Sequence, residues 1–120
     1  KEMRDGTLRQ LEKQNVTIFI RSAYLQGLFF VKNENLSENL SDARPYLEKI
    51  RQLAEEENMT VAQLAVSFLR NTNEITSVLL GCENPEQVRE IDGFLRKKTI
   101  SQATREKIMA FSEKIPPHII

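Results

Sequence analysis

At 120 residues, with 40% hydrophobic and 28% charged residues, the sequence has the size and balance of one soluble globular domain or part of one. Seventeen basic residues match seventeen acidic ones, so the basic excess that phosphate backbones require is missing and nucleic acid is excluded as the main partner. No apolar run is long enough to span a bilayer, and a lone Cys82 and a lone His118 supply neither a disulfide framework nor a zinc cluster. A cytoplasmic protein without membrane contact or metal site is expected.

Residues 1–14 read as a helix weakened by Gly6, with Leu8 and Leu11 on one side and Asn15 as the stop. The chain opens on Lys1, and Met3 lies inside this charged stretch, so it reads as a segment of a longer polypeptide. Residues 16–20, Val-Thr-Ile-Phe-Ile, form a β-branched and aromatic run without polar alternation. Such a run suggests a strand buried on both faces, as in a parallel sheet. Residues 21–40 show no sustained period, and their Asn and Ser residues mark a long loop of the kind that carries function.

Residues 42–57 predict a helix, with Leu47, Ile50 and Ala54 at helical spacing, Tyr46 and Leu53 beside them, and Pro45 in the first turn. Glu55-Glu56-Glu57 reads as its solvated end, and Asn58 stops it. Thr60 and Gln63 have the spacing of a capping box, opening a helix whose apolar stripe is Val61, Leu64, Ala65, Phe68 and Leu69. A turn at 71–74 leads into a second strand at 76–80.

The next stretch, Gly-Cys-Glu-Asn-Pro-Glu-Gln from Gly81 to Gln87, stops the apolar run and starts a helix. Asn84 suits an N-cap, Pro85 the first helical position and Gln87 a capping box. Strand, glycine turn and capped helix is a layout that offers backbone N–H groups and a positive dipole end to an anion. On pattern alone the simpler reading is an ordinary strand-to-helix connection with nothing bound. The helix runs to about residue 96, Ser101 caps a last helix carrying Ile108, Met109 and Phe111, and Pro116-Pro117 closes the chain. Two strands separated by helices fit a parallel pair joined by a right-handed crossover. Such a pair is a poor sheet alone, which implies a larger α/β assembly. Unpaired strands also predict self-association.

Ile18-Phe-Ile-Arg-Ser-Ala-Tyr-Leu-Gln-Gly-Leu28 resembles the strand and loop of aldo/keto reductases, usually written with a Ser-Pro-Leu-x-x-Gly core. Ser77-Val-Leu-Leu-Gly-Cys-Glu-Asn-Pro-Glu-Gln-Val-Arg-Glu90 is similar to that family's last barrel strand and following helix, and Thr60-Val-Ala-Gln-Leu-Ala65 between them is also typical. The resemblance implies an α/β fold: a C-terminal fragment of a (β/α)8 TIM barrel, mostly helical, with about two parallel strands, the seventh and eighth. Residues 1–120 would then be one partial domain with no second domain. It implies an NAD(P)H-dependent oxidoreductase that reduces carbonyls by hydride transfer.

Carried over position by position, Ser22, Ala23, Tyr24 and Leu25 match residues along the pyrophosphate and ribose. Gly81, Glu83 and Gln87 match residues around the adenosine, and Glu90 one near the adenine. Ala23 stands for the usual Pro and Tyr24 for the usual Leu, and the Asn that usually follows Glu90 is replaced by Ile91 or deleted. Glu83 departs from the Ser, Thr or Arg that accompanies NADP use; a carboxylate there repels a 2′-phosphate and accepts from a free 2′-hydroxyl. The family's catalytic Asp, Tyr, Lys and His come from earlier strands, so no catalytic residue is assigned and this chain alone is expected to bind cofactor weakly at best. The alternative reading is a non-enzymatic helical interaction module or oligomer derived from a reductase. Arg21, at a strand end, either meets a phosphate or forms an outward salt bridge. Cys82 reads as a packing residue, His118 as no catalytic base, and Phe29-Phe30 as core or partner-facing.

Overall fold

The computed structural model describes residues 3, 5–35, 37–97 and 99–117. Its elements in chain order are α1 (Thr7–Lys13), β1 (Phe19–Ile20), 3-10 helices at Leu25–Phe30, Asn33–Asn35 and Glu38–Ala43, α2 (Arg44–Glu56), α3 (Val61–Arg70), β2 (Ser77–Val78), α4 (Pro85–Arg96) and α5 (Gln102–Ser112). The order of helices and strands is the expected one, and the strands pair in parallel. The mostly helical α/β class therefore stands. Among the described residues, no helix is long and apolar enough to cross a membrane.

The chain divides into two compact units, Lys1–Ala23 with Ala65–Thr99, and Tyr24–Leu64 with Ile100–Ile120. In the first, α1 is shorter than expected. Gly6 does not weaken the helix from within but bounds it, at φ +81, with its carbonyl accepting the Gln10 N–H at 3.0 Å. Asn15, at φ +57, ends it. The Asn15 N–H reaches Glu12 O and the Val16 N–H reaches Leu11 O, the paired bonds that satisfy carbonyls at a left-handed helix stop.

The two-stranded sheet is in register Phe19 with Ser77 and Ile20 with Val78. Bonds outside those residues lengthen the ladder: Thr76 and Ser77 N–H donate to Ile18 O, Ile18 N–H donates to Thr76 Oγ1 at 3.0 Å, and Leu79 N–H donates to Ile20 O at 2.7 Å. Burial on both faces is not what the strand shows. Ile18 is 7% exposed, but Phe19 is 62% exposed, because alternate side chains point to opposite faces and only one face of this pair is covered. Leu79 is likewise exposed. Beneath the covered face the unit buries Leu8, Ile18, Val66, Ser67, Thr72 and Phe94, and the Thr72 hydroxyl donates to Phe68 O.

In the second unit the expected loop is largely a succession of 3-10 turns. Arg51 of α2 donates to Val31 O at 2.5 Å and ties that stretch down. Leu53, expected beside the stripe of α2, is its most buried residue, together with Leu47 and Ala54. The ring of Tyr46 packs at 5.6 Å against Phe111 of α5. Asn58 ends α2 as Asn15 ends α1, at φ +54. Thr60 and Gln63 form the full capping box of α3: Gln63 N–H to Thr60 Oγ1 at 3.1 Å, Thr60 N–H to Gln63 Oε1 at 2.9 Å. The stripe expected on α3 is too narrow. Ala62, Gln63, Leu64, Val66 and Ser67 are buried and every other residue but Arg70 is half-buried, the pattern of a helix covered all round.

Glu55-Glu56-Glu57 is more than a solvated end. Glu56 bonds Lys107 of α5 at 2.8 Å. Glu57 Oε1 accepts from Ser101 N–H, from Ser101 Oγ at 2.5 Å and from Thr104 Oγ1. The spacing of the three carboxylates carried no sign of this, since their partners lie more than forty residues on.

Candidate functional site

Parallel pairing decides where the chain leaves the sheet. Because β1 and β2 run the same way in register, residues 21–23 and 81–84 emerge at the same, C-terminal, edge. In open or closed parallel sheets that edge is where ligands bind.

The exit from β1 is sharp. Ser22 takes φ +59, a left-handed conformation costly for a residue with a Cβ, and the strand direction ends there. At the exit from β2, Gly81 shows the reverse. Its φ is not left-handed, and a Cβ placed on it meets no atom within 4 Å. Among the described residues nothing requires glycine at this position. What a glycine leaves is open space against bare backbone, room for a ligand to approach.

Asn84 adopts extended dihedrals (φ −150, ψ 163) and its Oδ1 accepts the Gln87 N–H at 2.9 Å, as an N-cap should. Gln87 then departs from the usual capping box. Its Oε1 takes the N–H of Glu83, at 2.7 Å, one residue before the cap. Pro85 has no N–H, the Gln87 N–H is bound, and so is that of Glu83. Two of the donors expected at this helix start are thus taken by the chain's own side chains. Glu83, Glu86 and Glu90 are all exposed around it, and the charge of Arg89 is engaged by Glu86 at 3.3 Å. The start of α4 suits hydroxyl donors, such as those of a ribose, better than a phosphate.

Ser22, Ala23, Gly81, Glu83, Gln87 and Glu90 all belong to the first unit. Ser22, Gly81, Glu83 and Glu90 are exposed there, and Ala23 and Gln87 half-buried. Tyr24 and Leu25 belong to the second unit. Tyr24 precedes the first 3-10 helix and its ring meets Phe30 edge-on at 5.3 Å; Leu25 opens that helix. Arg21 is exposed, and no salt bridge or hydrogen bond joins it to another described residue. Cys82 is exposed rather than packed. His118 lies outside the described residues. Among the described residues no group of three or more His, Cys, Asp or Glu is arranged to hold a metal. Sequence reasoning undervalued Gln87: a side chain's choice between two backbone amides leaves no mark in residue spacing.

Residues 4–113 match the model of the Aldo/keto reductase family. The match takes in both strands, both exits and all five helices, and the chain belongs to that family.

Proposed function

We propose that this aldo/keto reductase chain is the cofactor-holding, C-terminal segment of a (β/α)8 barrel, with β1 and β2 as the last two barrel strands and residues 1–120 as one partial domain. The observation that carries this reading is the register of β1 and β2, which brings the two exits to one edge. The residues there fit a nicotinamide dinucleotide: hydroxyl and amide donors at Ser22 and Gln87, a bare backbone with open space at Gly81, and a carboxylate at Glu83. When bound, NAD(P)H supplies the hydride that reduces a carbonyl. Glu83 accepts from the adenosine ribose hydroxyls, Gln87 fixes the Glu83 backbone and turns its carboxamide NH2 toward the ligand, and Gly81 admits the ligand to the backbone. Ser22 and Ala23 line the pyrophosphate and ribose, and Glu90 the adenine. The acidic surroundings of α4 favour NADH over NADPH, whose 2′-phosphate would face Glu83 and Glu86. The proton donor of the reaction lies outside these residues, so the chain alone binds weakly and turns over no carbonyl. One exposed cysteine is in keeping with a reducing cytosol.

The experiment is a titration of the full chain with NADH and NADPH, followed by nicotinamide fluorescence and calorimetry. Saturable binding with NADH the tighter is expected. Absence of binding by either, at the highest attainable cofactor concentration, overturns the cofactor-site reading.

A second reading has its own observation. Phe19 and Leu79 leave one sheet face apolar and exposed, at 62% and 55%. Such a face, with open strand edges on either side, supports a reductase-derived module that associates with itself. Concentration-dependent sedimentation that Phe19→Lys abolishes is its expected signature; a monomer at all concentrations removes it.

A further inference from the structure

We propose that α5 is a strap that opens away from α2 as one piece, and that the Glu57 carboxylate is its latch. Both helices belong to the second unit. Their contacts fix how α5 lies. Ser101, its N-cap, and Thr104, in its first turn, donate to Glu57, the residue that ends α2. Lys107, a turn further on, donates to Glu56 at 2.8 Å. Phe111, in the last turn of α5, packs its ring at 5.6 Å against Tyr46, in the first turn of α2. Residue numbers rise along one helix as they fall along the other, so the two run antiparallel. The polar bonds gather at the start of α5 and the ring contact sits at its end.

The two helices differ in what they bury. α2 buries Leu47, Leu53 and Ala54. Within α5 only the polar Thr104 is buried, and Ile108, Met109 and Phe111 are half-buried. A helix is held to its core mainly by its apolar face, and an element that buries little opens at a lower free energy than the core beside it. Ile100, just before the N-cap, is buried, and Ser101 between it and α5 is extended, at φ −67 and ψ 155. The base of the strap is thus pinned in the core and the pivot falls at Ser101. Glu57 is the latch because a single carboxylate oxygen takes the Ser101 N–H and the hydroxyls of Ser101 and Thr104. Bonds to an ionised acceptor are stronger than neutral ones, and Thr104 has no water to turn to while α5 is closed. In the open strap water replaces Glu57, so weakening Glu57 costs the closed state and not the open one.

The test is native-state hydrogen–deuterium exchange of the full chain, of Glu57→Gln and of Ser101→Ala, read by mass spectrometry on peptides covering 102–112 and 44–56, with far-UV circular dichroism as the folding control. In the wild type the protected amides of α5 should exchange at least about 10-fold faster than those of α2, the mark of an element that opens by itself. Glu57→Gln keeps the shape and removes the charge. It should speed α5 by about 10-fold, the worth of a charge-assisted bond, and leave α2 unchanged. Ser101→Ala removes one hydroxyl donor and should speed α5 by less. Equal wild-type rates in α5 and α2 overturn the strap, and this comparison stands even if a variant does not fold. A folded Glu57→Gln in which α5 exchanges as before overturns the latch. A folded Glu57→Gln in which both helices speed up together shows one cooperative unit and overturns the strap.

Discussion

The side chain of Gln87 reaches back four residues and takes the N–H of Glu83 at 2.7 Å. That one bond joins the exit from β2 to the first turn of α4, while Asn84 Oδ1 holds the Gln87 N–H at 2.9 Å. The loop before the helix is therefore fixed by the helix. Removing either partner frees the loop and uncaps α4, but unequally. Asn84→Ala should cost about 1 kcal/mol, the usual worth of an N-cap. Gln87→Met should cost about 0.5 kcal/mol, because water can replace a partner at an exposed amide. Urea unfolding midpoints check the order. If Gln87→Met proves the more damaging, the cap on Gln87 is not the main support of this turn.

Gly81 separates stability from binding. Its φ is not left-handed and a Cβ there meets nothing. Gly81→Ala should therefore stabilise the chain by about 0.4–1 kcal/mol, by restricting the unfolded state. If a cofactor approaches this backbone, the same methyl should weaken NADH binding. A higher thermal midpoint with weaker NADH affinity is the expected pair of results. A variant that is more stable and binds as before would show that the ligand does not pass Gly81.

Leu53 is 0% exposed, the centre of the second unit's core. Leu53→Ala should cost about 2–5 kcal/mol, the transfer term plus the cavity it leaves. A marginal chain of this size would then be largely unfolded at room temperature, visible as lost ellipticity.

How much of this was legible in the sequence depends on the range of the interaction. Asn15 and Asn58 could be read as helix stops, and Thr60 with Gln63 as a capping box, because each acts on backbone within a few residues of itself. The parallel pair followed from two apolar runs with helices between them. The two-sided burial of residues 16–20 did not hold, because composition reports what a strand would bury with neighbours, not which neighbours it has; Phe19 is open for that reason. Residues 21–40 lack a period because 3-10 turns of three to six residues are too short to show one. At the site, the residues were legible and their bonds were not. Gln87 was read as closing a box on Asn84 and closes on Glu83 instead.

Glu56 gives the chain a pH dependence with a definite sign. The Glu56 carboxyl is lowered from its ordinary value, chiefly because Lys107 donates to it; desolvation opposes this, the charges of Lys107 and then Lys49 lower it further, and Glu57 raises it. A carboxyl lowered in the folded state adds stability that is fully present above its unfolded pKa and is lost as pH falls through the folded value. The contribution is therefore complete at neutral pH and disappears in acid. Glu56 and Lys107 are well exposed, so this contribution is small and screened by salt. Glu57 acts differently, as the acceptor that closes the start of α5 over Ser101 and the buried Thr104. Glu57→Ala should cost about 1–3 kcal/mol, since it strips partners from a half-buried cap. Urea midpoints followed from neutral to acid pH distinguish the two. The wild type and Glu56→Gln should differ slightly at neutral pH and converge in acid, where the wild-type carboxyl is protonated. Glu57→Ala should be the less stable of the two variants at neutral pH. A Glu56→Gln curve parallel to the wild type throughout would mean that the Glu56–Lys107 bond carries none of the acid sensitivity.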